Sequence, residues 1–176
     1  MTSLFAHAEL MGEHLLRSYG VQPAVLPGYQ RSFLHGSTLL WGTPRHPCPL
    51  IGLAEGGTCP GLAFKAPWLM RRMLLRRLAP TENQGEYRRV HRPIKLSDGS
   101  EVRAVVWVSR SGARPGESGP RWSDENAVVE GLLAAHGTVG RGVEYVRTIF
   151  HALELWGLRD PLIDSVWARL AAWRPR

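Results

Sequence analysis

Cysteine is scarce in this chain. Only Cys48 and Cys59 occur in 176 residues, so no disulfide framework can staple the fold, and both read as small buried hydrophobes of a reducing compartment. Long apolar runs are missing as well. None approaches the roughly 20 residues that cross a bilayer, and the opening Met1-Thr2-Ser3-Leu4-Phe5 lacks the charged and apolar regions of a signal peptide. These absences predict a cytoplasmic protein with no membrane partner. Acidic residues are outnumbered, 15 against 22 Lys and Arg, for a formal charge of +7. Arg71, Arg72, Arg76 and Arg77 recur at helical spacing, but Arg88, Arg89, Arg92, Arg103, Arg110, Arg114 and Arg121 are dispersed and no aromatic-basic platform accompanies them. A solvated basic surface is expected, with no nucleic-acid partner.

The chemical motifs of several enzyme classes are also lacking. Gly56-Gly57 and Gly140-Arg141-Gly142 have no nucleotide-binding frame and read as turns. The seven histidines include no His-Glu-x-x-His pair, and two cysteines supply no structural zinc site, so no metal is expected. Gly36-Ser37-Thr38 lacks the flanking glycines of a nucleophile elbow.

What is present is a chain of ordinary globular make-up. With 44% apolar residues, residues 1–176 are expected to form a single domain around one core. Short strands are predicted over 4–7, 29–35, 50–54, 58–65, 87–96 and 101–109, with Asp98-Gly99 turning the last two into a hairpin. Helices dominate the last third, which makes the class α+β rather than alternating βαβ. Pro67 opens a first helix through Leu69, Met73, Leu74 and Leu78, and Ser123 caps a second through Val128, Leu132 and Leu133, which Gly137 ends. Val143, Val146, Ile149, Phe150 and Leu153 mark a third. Asp160-Pro161 opens a fourth with an apolar stripe of Leu162, Ile163, Val166, Trp167 and Leu170. The stretch 110–121, rich in Gly, Pro and Ser, reads as a surface loop.

A set of ordered segments carries the reading further. Pro27-Gly28-Tyr29-Gln30-Arg31-Ser32-Phe33, His35-Gly36-Ser37-Thr38, Gly42-Thr43-Pro44-Arg45-His46-Pro47, Leu53 to Phe64 with Gly56-Gly57-Thr58-Cys59-Pro60-Gly61, and Gly140 to Val146 follow one another. Together they resemble the ChaC-type γ-glutamylcyclotransferases. The resemblance implies a small mixed β-barrel with flanking helices and a cofactor-free intramolecular reaction of lyase or acyltransferase type. In that family the α-amine of glutathione attacks its own γ-carbonyl, closing 5-oxoproline and expelling cysteinylglycine. An ammonium is not a nucleophile, so a carboxylate must take its proton, while backbone N–H groups of a loop hold the substrate and the developing oxyanion.

The family's Tyr-Gly-Ser-Leu loop falls on His7-Ala8-Glu9-Leu10, the arginine of its Arg-Gly-Thr-Pro run on Trp41, and the asparagine before its late tyrosine on Gly142. The resemblance therefore implies His7, Ala8, Glu9, Leu10, Ser37, Tyr87 and Tyr145 as substrate-binding positions. It implies Glu82 as the catalytic base, with Glu86 as the alternative. A direct continuation of the preceding helix would instead put Leu78 in the catalytic place, and both glutamates read equally as solvated loop carboxylates. Two classes of function fit: an enzyme acting on glutathione or a related γ-glutamyl amide, and a catalytically silent binding or regulatory scaffold. The sequence carries no signal for oligomeric state.

Overall fold

A computed structural model of the chain describes residues 2–12, 20–66, 87–110, 122 and 124–173. Five strands appear among them: β1 (Thr2–Ala6), β2 (Gln22–Ser37), β3 (Cys48–Ala66), β4 (Tyr87–Leu96) and β5 (Glu101–Ser109). A 3₁₀ turn, Glu9–Gly12, follows β1, and three described helices close the chain: α1 (Glu125–Ala134), α2 (Gly142–Leu155) and α3 (Pro161–Ala172). The predicted helix beginning at Pro67 and the loop segment 111–121 lie outside the described residues.

The strands close into a barrel in the order β1-β3-β2-β4-β5. Neighbours are antiparallel except at the closure, where β1 runs parallel to β5 with Ser3 opposite Ala104 and Leu4 opposite Val105. Strand alternation then sorts the side chains into two cores. Phe5, Leu26, Leu53, Ala63, Ile94, Ala104, Val106 and Val108 fill the barrel. Their neighbours Leu4, Ala6, Leu62, Phe64, Val105 and Trp107 point outward, against Leu132 of α1, Val146 and Ile149 of α2, and Ile163 and Val166 of α3. β5 is thus buried on both faces from Ala104 to Ser109, which explains its unbroken apolar run.

Two strands depart from expectation at one irregularity, and the predicted strand 29–35 is only the later part of β2, which begins at Gln22. The predicted strands 50–54 and 58–65 form a single strand, because Gly56 (φ 108°) and Gly57 (φ 63°) bend β3 without ending it. Opposite them Gly28 sits at φ 77°, and the register steps from Pro27 opposite Thr58 to Tyr29 opposite Glu55. Two β3 residues, Gly56 and Gly57, thus face Gly28 alone, and across this bulge the buried parity of β2 reverses: Ala24 and Leu26 are buried before it, Tyr29, Arg31 and Phe33 after it. This bulge turns Arg31 inward.

The helix starts are capped locally. Asp124, not the expected Ser123, caps α1 by accepting from the Ala127 N–H; Ser123 itself lies outside the described residues. At α2 the Glu144 carboxylate accepts from the Arg141 N–H at 2.9 Å. Asp160 caps α3 ahead of Pro161, as the sequence predicts. The stripe of α3 buries Ile163, Val166 and Leu170, with Leu162 and Trp167 packed at its margin.

Candidate active site

Two tyrosines grip opposite sides of one residue of β3. Tyr87, the first residue of β4, donates its hydroxyl proton to the Ile51 carbonyl at 3.1 Å. The Ile51 N–H donates to the Tyr145 hydroxyl, on the first turn of α2, at 3.0 Å. Because a carbonyl only accepts and an amide N–H only donates, the two hydroxyls are left with opposite polarity. Toward the strand Tyr87 is the donor, whereas Tyr145 is the acceptor and keeps its hydrogen.

Each ring is held by a further aromatic. Trp41 packs on Tyr145 with centroids 5.5 Å apart, and the Trp41 backbone N–H donates to Ser37 Oγ at 3.0 Å. Ser37 therefore shapes the turn that carries Trp41 and supports Tyr145 through it. His35 lies against Tyr87 at 4.4 Å, and its Nε2 is 2.8 Å from Ser109 Oγ. Burial depresses the His35 pKa to about 4, so the ring is neutral at pH 7.

The segment after β1 approaches this pair. Ala8 and Leu10 pack on the core shared with the helices, and Glu9 opens the 3₁₀ turn, half-buried. Glu9 is close enough for its charge to be felt by Tyr145 and Cys48. The Tyr145 hydroxyl is pushed well above its ordinary range by burial first, then by Glu9 and Tyr87, against the opposing Ile51 hydrogen bond. The Cys48 thiol is raised to about 12 by burial and then by Glu9. Of the positions expected from sequence, Glu9, Tyr87 and Tyr145 are thus brought together. Gly142, which stands where the resemblance expects asparagine, has no room for a side chain: a Cβ would lie 2.6 Å from the Leu132 carbonyl oxygen.

His7 occupies a different environment. Its ring stacks with Phe5 of the barrel interior at 6.3 Å, and its Nδ1 has no hydrogen-bond partner among the described residues. Burial, reinforced by the nearby Arg31 charge, lowers its pKa to about 3. It is the His7 backbone, not its ring, that engages the surroundings of the site. Glu82, Glu86 and Leu78 lie outside the described residues.

Sequence reasoning gave no site role to Arg31, and to Asp160 only the start of the last helix. The Arg31 guanidinium, fully buried, donates to the His7 carbonyl (2.7 Å), the Pro60 carbonyl (2.6 Å), Asp160 Oδ2 (2.6 Å) and Met11 Sδ (3.6 Å). Asp160 uses its other oxygen to accept from the Leu162 and Ile163 N–H groups at 3.1 and 3.3 Å. Removing one member of such a pair strands a charge, at a cost of about 3–5 kcal/mol. The available signal was a charged residue between Tyr29 and Phe33 on a strand whose alternation buries that face.

Residues 16–170 match the family model described as ChaC-like protein. The chain is 26% identical over 164 residues to a glutathione-specific gamma-glutamylcyclotransferase of Escherichia coli K12, covering 93% of this chain and 70% of that protein. Among solved structures, the yeast gamma-glutamyl cyclotransferase specific to glutathione superposes with a TM-score of 0.78 at 14% identity, covering 98% of this chain and 96% of that one. A second structure of the yeast enzyme gives 0.76 at 15% identity over 99% of both chains. At such identities the structural likeness speaks for the fold. Taken with the match over most of the sequence, it places this chain in the ChaC-like family.

Proposed function

We propose that the protein is a γ-glutamylcyclotransferase that converts the γ-glutamyl group of glutathione, or of a closely related γ-glutamyl amide, to 5-oxoproline. The observation that carries this reading is the Tyr87–Ile51–Tyr145 arrangement beside Glu9, in a chain of this family. The α-amine nitrogen of the substrate forms a bond to its own γ-carbonyl carbon, and the bond from that carbon to the cysteine nitrogen breaks. The proton lost by the ammonium passes to a carboxylate and is returned to the departing amine, so no redox partner or cofactor is needed. We assign the carboxylate to Glu82, with Glu86 as the alternative. The Tyr145 hydroxyl offers its hydrogen to the carbonyl oxygen as negative charge develops there. Tyr87 holds Ile51, and through it Tyr145, from the other side, and the 7–10 segment holds the γ-glutamyl group.

Both cysteines are free and buried, in keeping with a glutathione-rich reducing compartment, and we place the protein in the cytoplasm. No helix among the described residues is long and apolar enough to cross a membrane. Incubation with glutathione and a panel of γ-glutamyl amines, scored by mass for 5-oxoproline and the released amine, tests the assignment. Turnover reduced roughly 10²-fold in Tyr145→Phe is expected. No release from any member of the panel would leave a silent scaffold as the better account.

A further inference from the structure

The His7 carbonyl and the Met11 thioether flank the Ala8-Glu9-Leu10 segment, and one guanidinium holds both. Arg31 Nε–H meets the carbonyl at 2.7 Å and Nη2 meets the sulfur at 3.6 Å. The same group is fixed from behind by Asp160, which is itself locked by two N–H groups of the α3 cap. A fourth bond runs to the Pro60 carbonyl of β3 at 2.6 Å. The segment carrying Glu9 toward Tyr145 is therefore referenced to the barrel wall and to α3 through one side chain. We infer that Arg31 is a positioning residue of the active site, which sets the 8–10 backbone against Tyr145 by clamping both ends of the segment.

This inference rests on the proposed cyclotransferase reading. Arginine suits the task because its planar fork sends donors in several fixed directions at once, whereas lysine has a single ammonium. A misplaced loop costs most where charge develops, since hydrogen bonds realised in the transition state tolerate little displacement. Turnover should therefore suffer more than substrate affinity.

Arg31→Lys keeps a cation opposite Asp160 but gives up the fork. Val166→Ala opens a cavity under α3 and leaves the clamp intact, and so serves as a control of comparable stability loss. At matched thermal midpoints, Arg31→Lys should lower kcat for 5-oxoproline release at least tenfold with KM changed less than threefold. Amide hydrogen exchange at residues 8–11 should accelerate in the same variant. Val166→Ala should retain kcat and exchange in that segment. Equal losses of kcat in the two variants would show that Arg31 acts only through stability, and the proposal would fall. Should Arg31→Lys not fold, Arg31→Met combined with Asp160→Asn removes the clamp without leaving a buried ion unpaired. Full turnover in that folded double variant would equally overturn the proposal, and a tenfold loss would support it. If the wild-type protein releases no 5-oxoproline from any γ-glutamyl substrate, the cyclotransferase reading fails by itself. Exchange at 8–11 then decides the clamp: unaccelerated exchange in the clamp variants refutes it, and acceleration confined to that segment upholds it.

Discussion

Tyr87 and Tyr145 are joined through a single peptide residue, one hydroxyl donating to the Ile51 carbonyl at 3.1 Å and the other accepting from the Ile51 N–H at 3.0 Å. The relationship fixes more than position. It gives the two hydroxyls opposed polarity toward the strand, and leaves the Tyr145 hydrogen for a carbonyl oxygen on which negative charge develops.

Phenylalanine substitutions should separate the two roles. Tyr145→Phe removes a donor aimed at developing charge and strands the buried Ile51 N–H. We expect a loss of roughly 10²-fold in kcat and a stability cost of about 1–3 kcal/mol. Tyr87→Phe leaves a carbonyl under-satisfied, which is tolerated better than an orphaned N–H, and should lower kcat less. Steady-state kinetics with thermal melts reads both. Identical effects on kcat and KM in the two variants would contradict the opposed polarity.

Glu82→Gln keeps the shape of the side chain but cannot take a proton from the substrate ammonium. General-base assistance is typically worth about 10²- to 10⁴-fold, so turnover should fall by that amount with little change in melting temperature. Glu86→Gln should be milder. Wild-type turnover in Glu82→Gln would move the base to Glu86 or to Glu9, and the two single variants tell these apart.

Two buried histidines give the fold an acid sensitivity. His7 and His35 titrate near 6.5 in the unfolded chain, but burial holds them to about 3 and about 4 in the native protein, with Arg31 adding to the effect at His7. As pH falls from 6.5 toward 4 the unfolded state binds protons that the native state refuses, so stability declines across that window and is fully present above it. Each histidine adds up to about 1.4 kcal/mol per pH unit to the slope. Denaturant titrations between pH 7 and 4 should show a slope reduced by about one proton in His35→Gln, whose amide can still reach Ser109. An unchanged slope would mean that His35 protonates freely in the native state.

The strands and the later helices were legible because their signals are local, whereas the closed barrel followed from the family resemblance. Asp98-Gly99 marked the β4–β5 hairpin, which spans the expected residues, and Asp160-Pro161 marked the α3 start. The continuity of β3 was not legible, since Gly56-Gly57 read as a turn where the fold uses left-handed glycines to bend a strand. Arg31 escaped for a different reason. Its burial follows the Tyr29-Arg31-Phe33 alternation beyond Gly28, but alternation does not reveal the partner that makes a buried charge tolerable, because Asp160 is distant in sequence. Among site residues, the resemblance led to Tyr87, Tyr145 and Glu9, whereas the inward turn of His7 follows from the alternation of β1 beyond Phe5.

The loop offers the sharpest test of substrate choice. Glutathione is anionic at two ends, and Glu9 places a further negative charge beside Tyr145, which burial and that same carboxylate already hold well above its ordinary pKa. At about 4 Å and an effective dielectric near 20, a contact between Glu9 and a substrate carboxylate would cost on the order of 4 kcal/mol, less after screening. Ala8→Gly combined with Glu9→Ser restores the family's backbone and removes that charge, and should raise kcat/KM for glutathione by at least tenfold. His7→Tyr is best left out of the combination: its site is buried against Phe5, and a larger ring there would add an overpacking cost of about 1–3 kcal/mol to the comparison. Neutral γ-glutamyl amines, which lack the far carboxylate, should gain much less from the double substitution. A double variant that loses glutathione turnover instead would mean that Glu9 contacts the substrate's ammonium, and the specificity of this chain would then rest on attraction at that position rather than repulsion.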